Sequence, residues 1–103
     1  MLTGKQKRYL RSQAMTMKPL ITLGKNDIGE SFINGVKAAL EARELVKISL
    51  LTTSEETPKS VGVALAEAIP GMEVAQTIGR VVLVYKRAFD PENRHVSTAI
   101  AKL

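Results

Sequence analysis

The sequence predicts a single α/β domain of the α+β kind, with one four-stranded mixed sheet packed with helices in the order α-β-α-β-α-β-β. Three observations predict it. Apolar residues recur at helical spacing in three stretches, and each stretch is followed by a short run with strand character. Pro19, Pro58 and Pro70 fall at the boundaries of those stretches, where a helix starts or stops. The last two apolar runs flank Gly79-Arg80, a pair suited to a tight hairpin. At 103 residues and 45% hydrophobic composition, the chain is expected to form one core. A domain of this size buries roughly two-thirds of its unfolded surface.

The first helix is predicted from Thr3, with Leu10, Ala14 and Met17 as its apolar stripe and Pro19 as its end. Lys7 and Arg11 are four apart and Lys5 and Arg8 three apart, so each pair shares a helix face. Leu20 to Leu23 reads as a short strand. The second helix is predicted over about Gly29 to Arg43, where Ile33, Val36 and Leu40 line one side. Asp27 and Gly29 are both candidates for its cap, and Asp27 has Glu30 three residues on, the spacing of a capping box.

Leu45 to Leu51 alternates, with Val46, Ile48 and Leu50 on one face. The third helix starts with Pro58 near its first position, buries Val61, Leu65 and Ala68/Ile69, and stops at Pro70-Gly71. Glu73–Ile78 and Val81–Tyr85 complete the sheet as an antiparallel hairpin with a type II′ turn. Strands joined through helices are expected to run parallel. Residues 1–87 form the predicted domain, and 88–103 a tail, either a frayed helix or disordered, with no assigned role.

Charge is distributed unevenly. Residues 1–26 carry six Lys/Arg and no acid, a net +6, while residues 27–103 carry nine Lys/Arg against ten Asp/Glu, a net −1. A one-sided basic field of that kind favours a polyanionic partner over a merely solubilising role. The absence of cysteine removes disulfides and thiolate metal sites, and the start of the chain has no apolar stretch after its charges. The chain is therefore read as cytoplasmic, with no membrane partner.

Little in the sequence suggests catalysis. His95, the lone histidine, sits in the polar tail beside Arg94. Glu41/Glu44 and Glu55/Glu56 lie at a helix end and a helix entry, where acids are ordinary surface or capping groups. Gly24 to Gly29 lacks the Gly-Lys-Ser/Thr ending of a phosphate-binding P-loop. No enzyme activity, cofactor, metal or small-molecule substrate is expected. Gly24-Lys25-Asn26 instead sits between a strand and a helix, where backbone N–H groups and the helix dipole favour an anion. A plain turn is the other reading. With Tyr9, Phe32, Tyr85 and Phe89 as the only aromatics, contacts to phosphate and sugar of structured RNA are expected rather than base readout.

Four segments, L-T-G-K-Q-K-R-Y-L-R, I-T-L-G-K-N, E-A-R-E-L-V-K-I and Q-T-I-G-R-V-V-L-V-Y-K-R, stand in an order and spacing that resemble the bacterial YhbY-type RNA-binding proteins, stand-alone CRM domains. The resemblance spans roughly residues 2 to 87. It implies a sheet similar to that of the C-terminal domain of the third bacterial translation initiation factor. It also implies association with precursors of the large ribosomal subunit, through a Gly-x-x-Gly loop. Carried over by position, that loop is Gly24-Lys25-Asn26-Asp27, with an acid at the second glycine. The matched segments also bring Arg43, Lys47, Arg80, Lys86 and Arg87 as candidate RNA contacts, beside Lys5, Lys7, Arg8, Arg11 and Lys18. Two other readings stay open: a basic adaptor for an acidic protein, and a DNA-coating protein. Lys47 on an open strand face and Arg80 at a hairpin tip also have plain structural readings.

Overall fold

The computed structural model describes residues 2–24 and 28–103. Its elements are α1 (Gly4–Ala14), β1 (Ile21–Leu23), α2 (Glu30–Arg43), β2 (Leu45–Leu50), α3 (Pro58–Ala68), β3 (Glu73–Ile78) and β4 (Val81–Tyr85). A 3-10 turn (Pro91–Asn93) and α4 (His95–Ile100) follow. The four strands form one mixed sheet in the order β1-β2-β4-β3. β1 and β2 are parallel, and β4 runs antiparallel to both β2 and β3. The expected fold class and strand order along the chain are therefore present, with β4 inserted between β2 and β3.

Period-two alternation sends the strand residues into two separate cores. Val46, Ile48, Leu50, Val82 and Val84 pack with Val36 and Leu40 of α2 and Val61 and Leu65 of α3. On the opposite face Leu45, Leu83, Tyr85 and Ala75 pack with Leu10 and Ala14 of α1 and Ile100 of α4. Because both faces are covered there, Val82 to Tyr85 are buried without a break. β3 bulges between Val74 and Gln76, which leaves Ala75 to turn into the α1 core. Gly79, first in the hairpin loop, has φ +56, as a type II′ turn requires.

The helix boundaries follow local chemistry. Thr3 and Gln6 form a reciprocal capping box at α1, and Thr57 and Ser60 do the same at α3, where Pro58 opens the helix. At α2 the cap is Gly29, without a side-chain hydrogen bond, so Glu30 is the first helical residue and not the third. Asp27, the other expected cap, lies outside the described residues.

Two expectations need correcting. Residues 88–103, expected to be frayed or disordered, carry the 3-10 turn and α4, with Ala88 and Ile100 buried. Glu44, expected to be an ordinary helix-end acid, is fully buried. Its carboxylate accepts hydrogen bonds from Ala88 N (2.9 Å), Ser97 N (2.9 Å) and the Ser97 hydroxyl, which is also bonded to the Tyr85 hydroxyl. Glu44 ends α2 with φ +66 and ψ −31, a sparsely populated backbone conformation that costs a non-glycine residue about 1–3 kcal/mol. The three hydrogen bonds to its side chain hold the residue in that place. Its neighbour Glu41 accepts from Phe89 N (2.7 Å) and Asp90 N (2.9 Å). Both acids tie the final segment to the end of α2.

Candidate nucleic-acid interface

α1 is the most basic element, and its underside holds it in place. Leu10 and Ala14 are buried against the sheet, and a fully buried leucine contributes about 1.5–3 kcal/mol. The Gln6 side chain also donates to Ile100 O (3.1 Å), which joins α1 to α4. Lys5, Arg8 and Arg11 are exposed on the outer side and Lys7 is half-buried. Beyond the helix, Lys18 is exposed as well. The helix thus presents cations from a rigid seat.

Lys47 has a different task. From β2 its ammonium donates to Ala14 O (3.1 Å) and Met17 O (3.2 Å), closing the carbonyl end of α1 where a cation is favoured by the helix dipole. Arg80 is engaged in a similar way. Its guanidinium donates to Leu50 O (3.2 Å), Leu51 O (2.6 Å) and Ser54 O (3.2 Å), tying the hairpin tip to the chain leaving β2. For both residues the structural reading has direct geometric support.

Gly24 lies at this same end of the sheet. Leu51 N donates to Leu23 O (2.9 Å), and a Cβ on Gly24 would stand 3.4 Å from the Leu51 side chain. A glycine suits that close approach. Lys25, Asn26 and Asp27 of the expected grip lie outside the described residues.

Between Gly24 and α1 the sheet is partly uncovered. Thr22 pairs with Ser49, Ser49 with Val81, and Val81 with Ile78, so these four residues cross all four strands in one line. Thr22 and Ile78 are exposed, Ser49 and Val81 half-buried. The line runs toward a recess of about 190 Å³, walled by Arg11 of α1, by Met15 just after it, and by Lys47, Ile78 and Val81. Met15 is 84% exposed and Ile78 62%, so the recess is amphipathic, with a guanidinium at its rim. The C-terminal end of α1 thus borders this recess, and Gly24 follows directly on β1.

Arg43, Lys86 and Arg87 belong to the opposite end. Leu45 pairs with Tyr85 there, and Lys86 N donates to Glu44 O (2.9 Å). Arg43 and Arg87 are exposed beside the two grooves that flank α4. The Glu41 carboxyl is held below its ordinary range, first by the Asp90 and Phe89 N–H bonds and then by nearby Lys86 and Arg94. Burial pushes the Tyr85 phenol above its ordinary range. Sequence reasoning missed the groove between α1 and α4, which gathers Tyr9, Gln13, Arg43 and His95. These positions are too far apart in the chain for any local pattern to link them.

Among the described residues no cluster of three or more His, Asp or Glu is placed to hold a metal ion. No described helix is long and apolar enough to cross a membrane.

Comparison with known proteins gives a consistent result. A Bacillus subtilis protein named "Probable RNA-binding protein YqeI" is 41% identical over 96 residues, covering 93% of this chain and 97% of that one. An "RNA-binding protein" of Haemophilus influenzae is 29% identical over 85 residues, covering 82% and 85% of the two chains. The solution structure of SAV1595 from Staphylococcus aureus, a hypothetical protein presented as a candidate RNA binder, superposes with a TM-score of 0.71 at 38% identity, covering 88% of this chain and 94% of that one. The model of the CRS1/YhbY (CRM) domain matches residues 2–86, a span that includes all four strands and α1 to α3. By that match, and by the fold it shares with SAV1595, the chain belongs to the CRS1/YhbY (CRM) domain family.

Proposed function

We propose that this protein binds structured ribosomal RNA, mainly through phosphate contacts, and assists assembly of the large ribosomal subunit in the cytoplasm as a binding protein rather than an enzyme. The observation that carries the reading is the unbalanced basic charge of residues 1–26, of which Lys5, Arg8 and Arg11 are exposed on α1. The names of the relatives point the same way. Lys5, Lys7, Arg8, Arg11 and Lys18 neutralise phosphates, and Gly24, Lys25 and Asn26 add contacts to the RNA backbone. Arg43, Lys86 and Arg87 extend the contact at the far end, while Lys47 and Arg80 support it through the bonds they make to backbone carbonyls.

Affinity for an rRNA fragment, measured by fluorescence anisotropy across a salt series, is expected to fall steeply. A Lys7→Gln/Arg11→Gln double variant should reduce the slope of log K against log salt by roughly 1.5, since each lost phosphate contact removes about 0.7–0.9. A flat response would leave an acidic protein as the better partner. Equal retention on duplex DNA and rRNA would favour a DNA-coating role. The ribosomal role is tested by sedimentation of a lysate: the protein should travel with precursors of the large subunit, and its absence from those fractions would refute that part.

A further inference from the structure

We propose that the groove between α1 and α4 receives a single unstacked RNA base, in addition to the phosphate contacts above. This rests on the RNA-binding reading and adds base recognition to it. The groove has a volume of about 360 Å³, near the lower bound of roughly 300–1,000 Å³ for small-ligand sites. That size suits one nucleotide better than a folded partner.

Its lining has the chemistry of a base receptor. Tyr9 and Gln13 stand four apart on α1 and so share one side of the helix. Tyr9 is half-buried: part of it packs with Met17 and Val96 against the core beneath, and the rest borders the groove. An aromatic ring held in this way is a stacking platform that accepts any base. The Gln13 amide offers a donor and an acceptor side by side, the pattern needed for a base edge. Arg43, exposed at the end of α2, supplies a guanidinium for the attached phosphate or for stacking. His95, also exposed, adds a second ring and a further hydrogen-bonding group. No carboxylate stands among the described lining residues, so an anionic nucleotide meets no like charge. The scarcity of aromatics excludes a multi-base platform, but one base needs one ring.

Tyrosine fluorescence reports the event directly. The chain has two tyrosines and no tryptophan, and Tyr85 is buried with its hydroxyl bonded to Ser97. A short single-stranded oligoribonucleotide and its abasic analogue, with the same phosphates, are titrated against the full chain. The base-bearing strand should bind about tenfold tighter, the lower-to-middle range for one stacked base, and should quench the tyrosine signal. Tyr9→Leu, which keeps the apolar packing, should erase that preference while leaving affinity for the abasic strand unchanged. Gln13→Ala, outside the core, should reduce the preference part of the way. Equal binding of both strands without quenching overturns the base site while leaving the phosphate reading intact. Binding of neither strand at low salt overturns the base site, and failure of a structured rRNA fragment to bind under the same conditions overturns the RNA reading itself. Capture of a poly-glutamate peptide in place of either strand assigns the groove to an acidic protein instead.

Discussion

Glu44, Lys47 and Arg80 look alike in the sequence as charged residues in or beside strands, yet the fold uses each of them internally. Lys47 and Arg80 bind backbone carbonyls that no local pattern pairs with them, so their structural use was visible in the sequence only as an alternative. Glu44 was illegible for a stronger reason: its donors lie 44 and 53 residues away. Glu41 makes a testable difference at this scale. Its folded carboxyl titrates below the ordinary value of 4.5 because it accepts the Asp90 and Phe89 N–H bonds. The stabilisation from those bonds is complete above the ordinary value and is lost as pH falls through the lower folded one. Amide exchange at Phe89 and Asp90, corrected for intrinsic rates, should accelerate as the pH drops below 4.5. A Glu41→Gln variant should lose that pH dependence.

The elements themselves were largely legible. The stripes of Val36 and Leu40 in α2 and of Val61 and Leu65 in α3 face one core, and the alternation of Val46, Ile48 and Leu50 faces it from the sheet. Each of those patterns is local, which is why sequence alone reveals them. The spacing between a helix and its sheet is not local. Gly62, inside α3, marks a close approach of that kind: a Cβ there would stand 2.8 Å from Val74 Cγ2. An alanine gains about 1 kcal/mol of helix propensity but forces an overpacking that costs about 1–3 kcal/mol. Gly62→Ala should therefore lower stability to urea by about 1 kcal/mol net. In a double-mutant cycle with Val74→Ala, which removes the obstructing methyls, the two effects should be clearly non-additive. Additive effects would mean that α3 shifts to admit the methyl at no cost.

For the whole molecule, the covering of both sheet faces decides where the domain ends. The family match stops at residue 86, and the sequence suggests a boundary near 87. Physically, the segment beyond it seals the second core with Ala88 and Ile100 and satisfies Glu44. A six-residue helix such as α4 is too short to leave a clear periodic signal, and its contacts are with residues far up the chain. Ending the chain after Arg87 should destabilise the domain by at least about 3 kcal/mol, from the loss of one buried isoleucine and the bonds to a buried carboxylate. Urea unfolding of the shortened chain checks this, and an unchanged midpoint would make the last segment an appendage.

The seat of Glu44 also has a consequence for the order in which the protein is made. Ser97, which supplies two of its three donors, is joined to the chain 53 residues after it. At about 5–20 residues per second, that interval lasts roughly 3–10 seconds. Through it, the acid that ends α2 must remain hydrated, and the α1 side of the sheet must wait for Ile100. The second core therefore cannot close before Ile100 is joined to the chain, and until then the nascent chain meets its surroundings with that face still open.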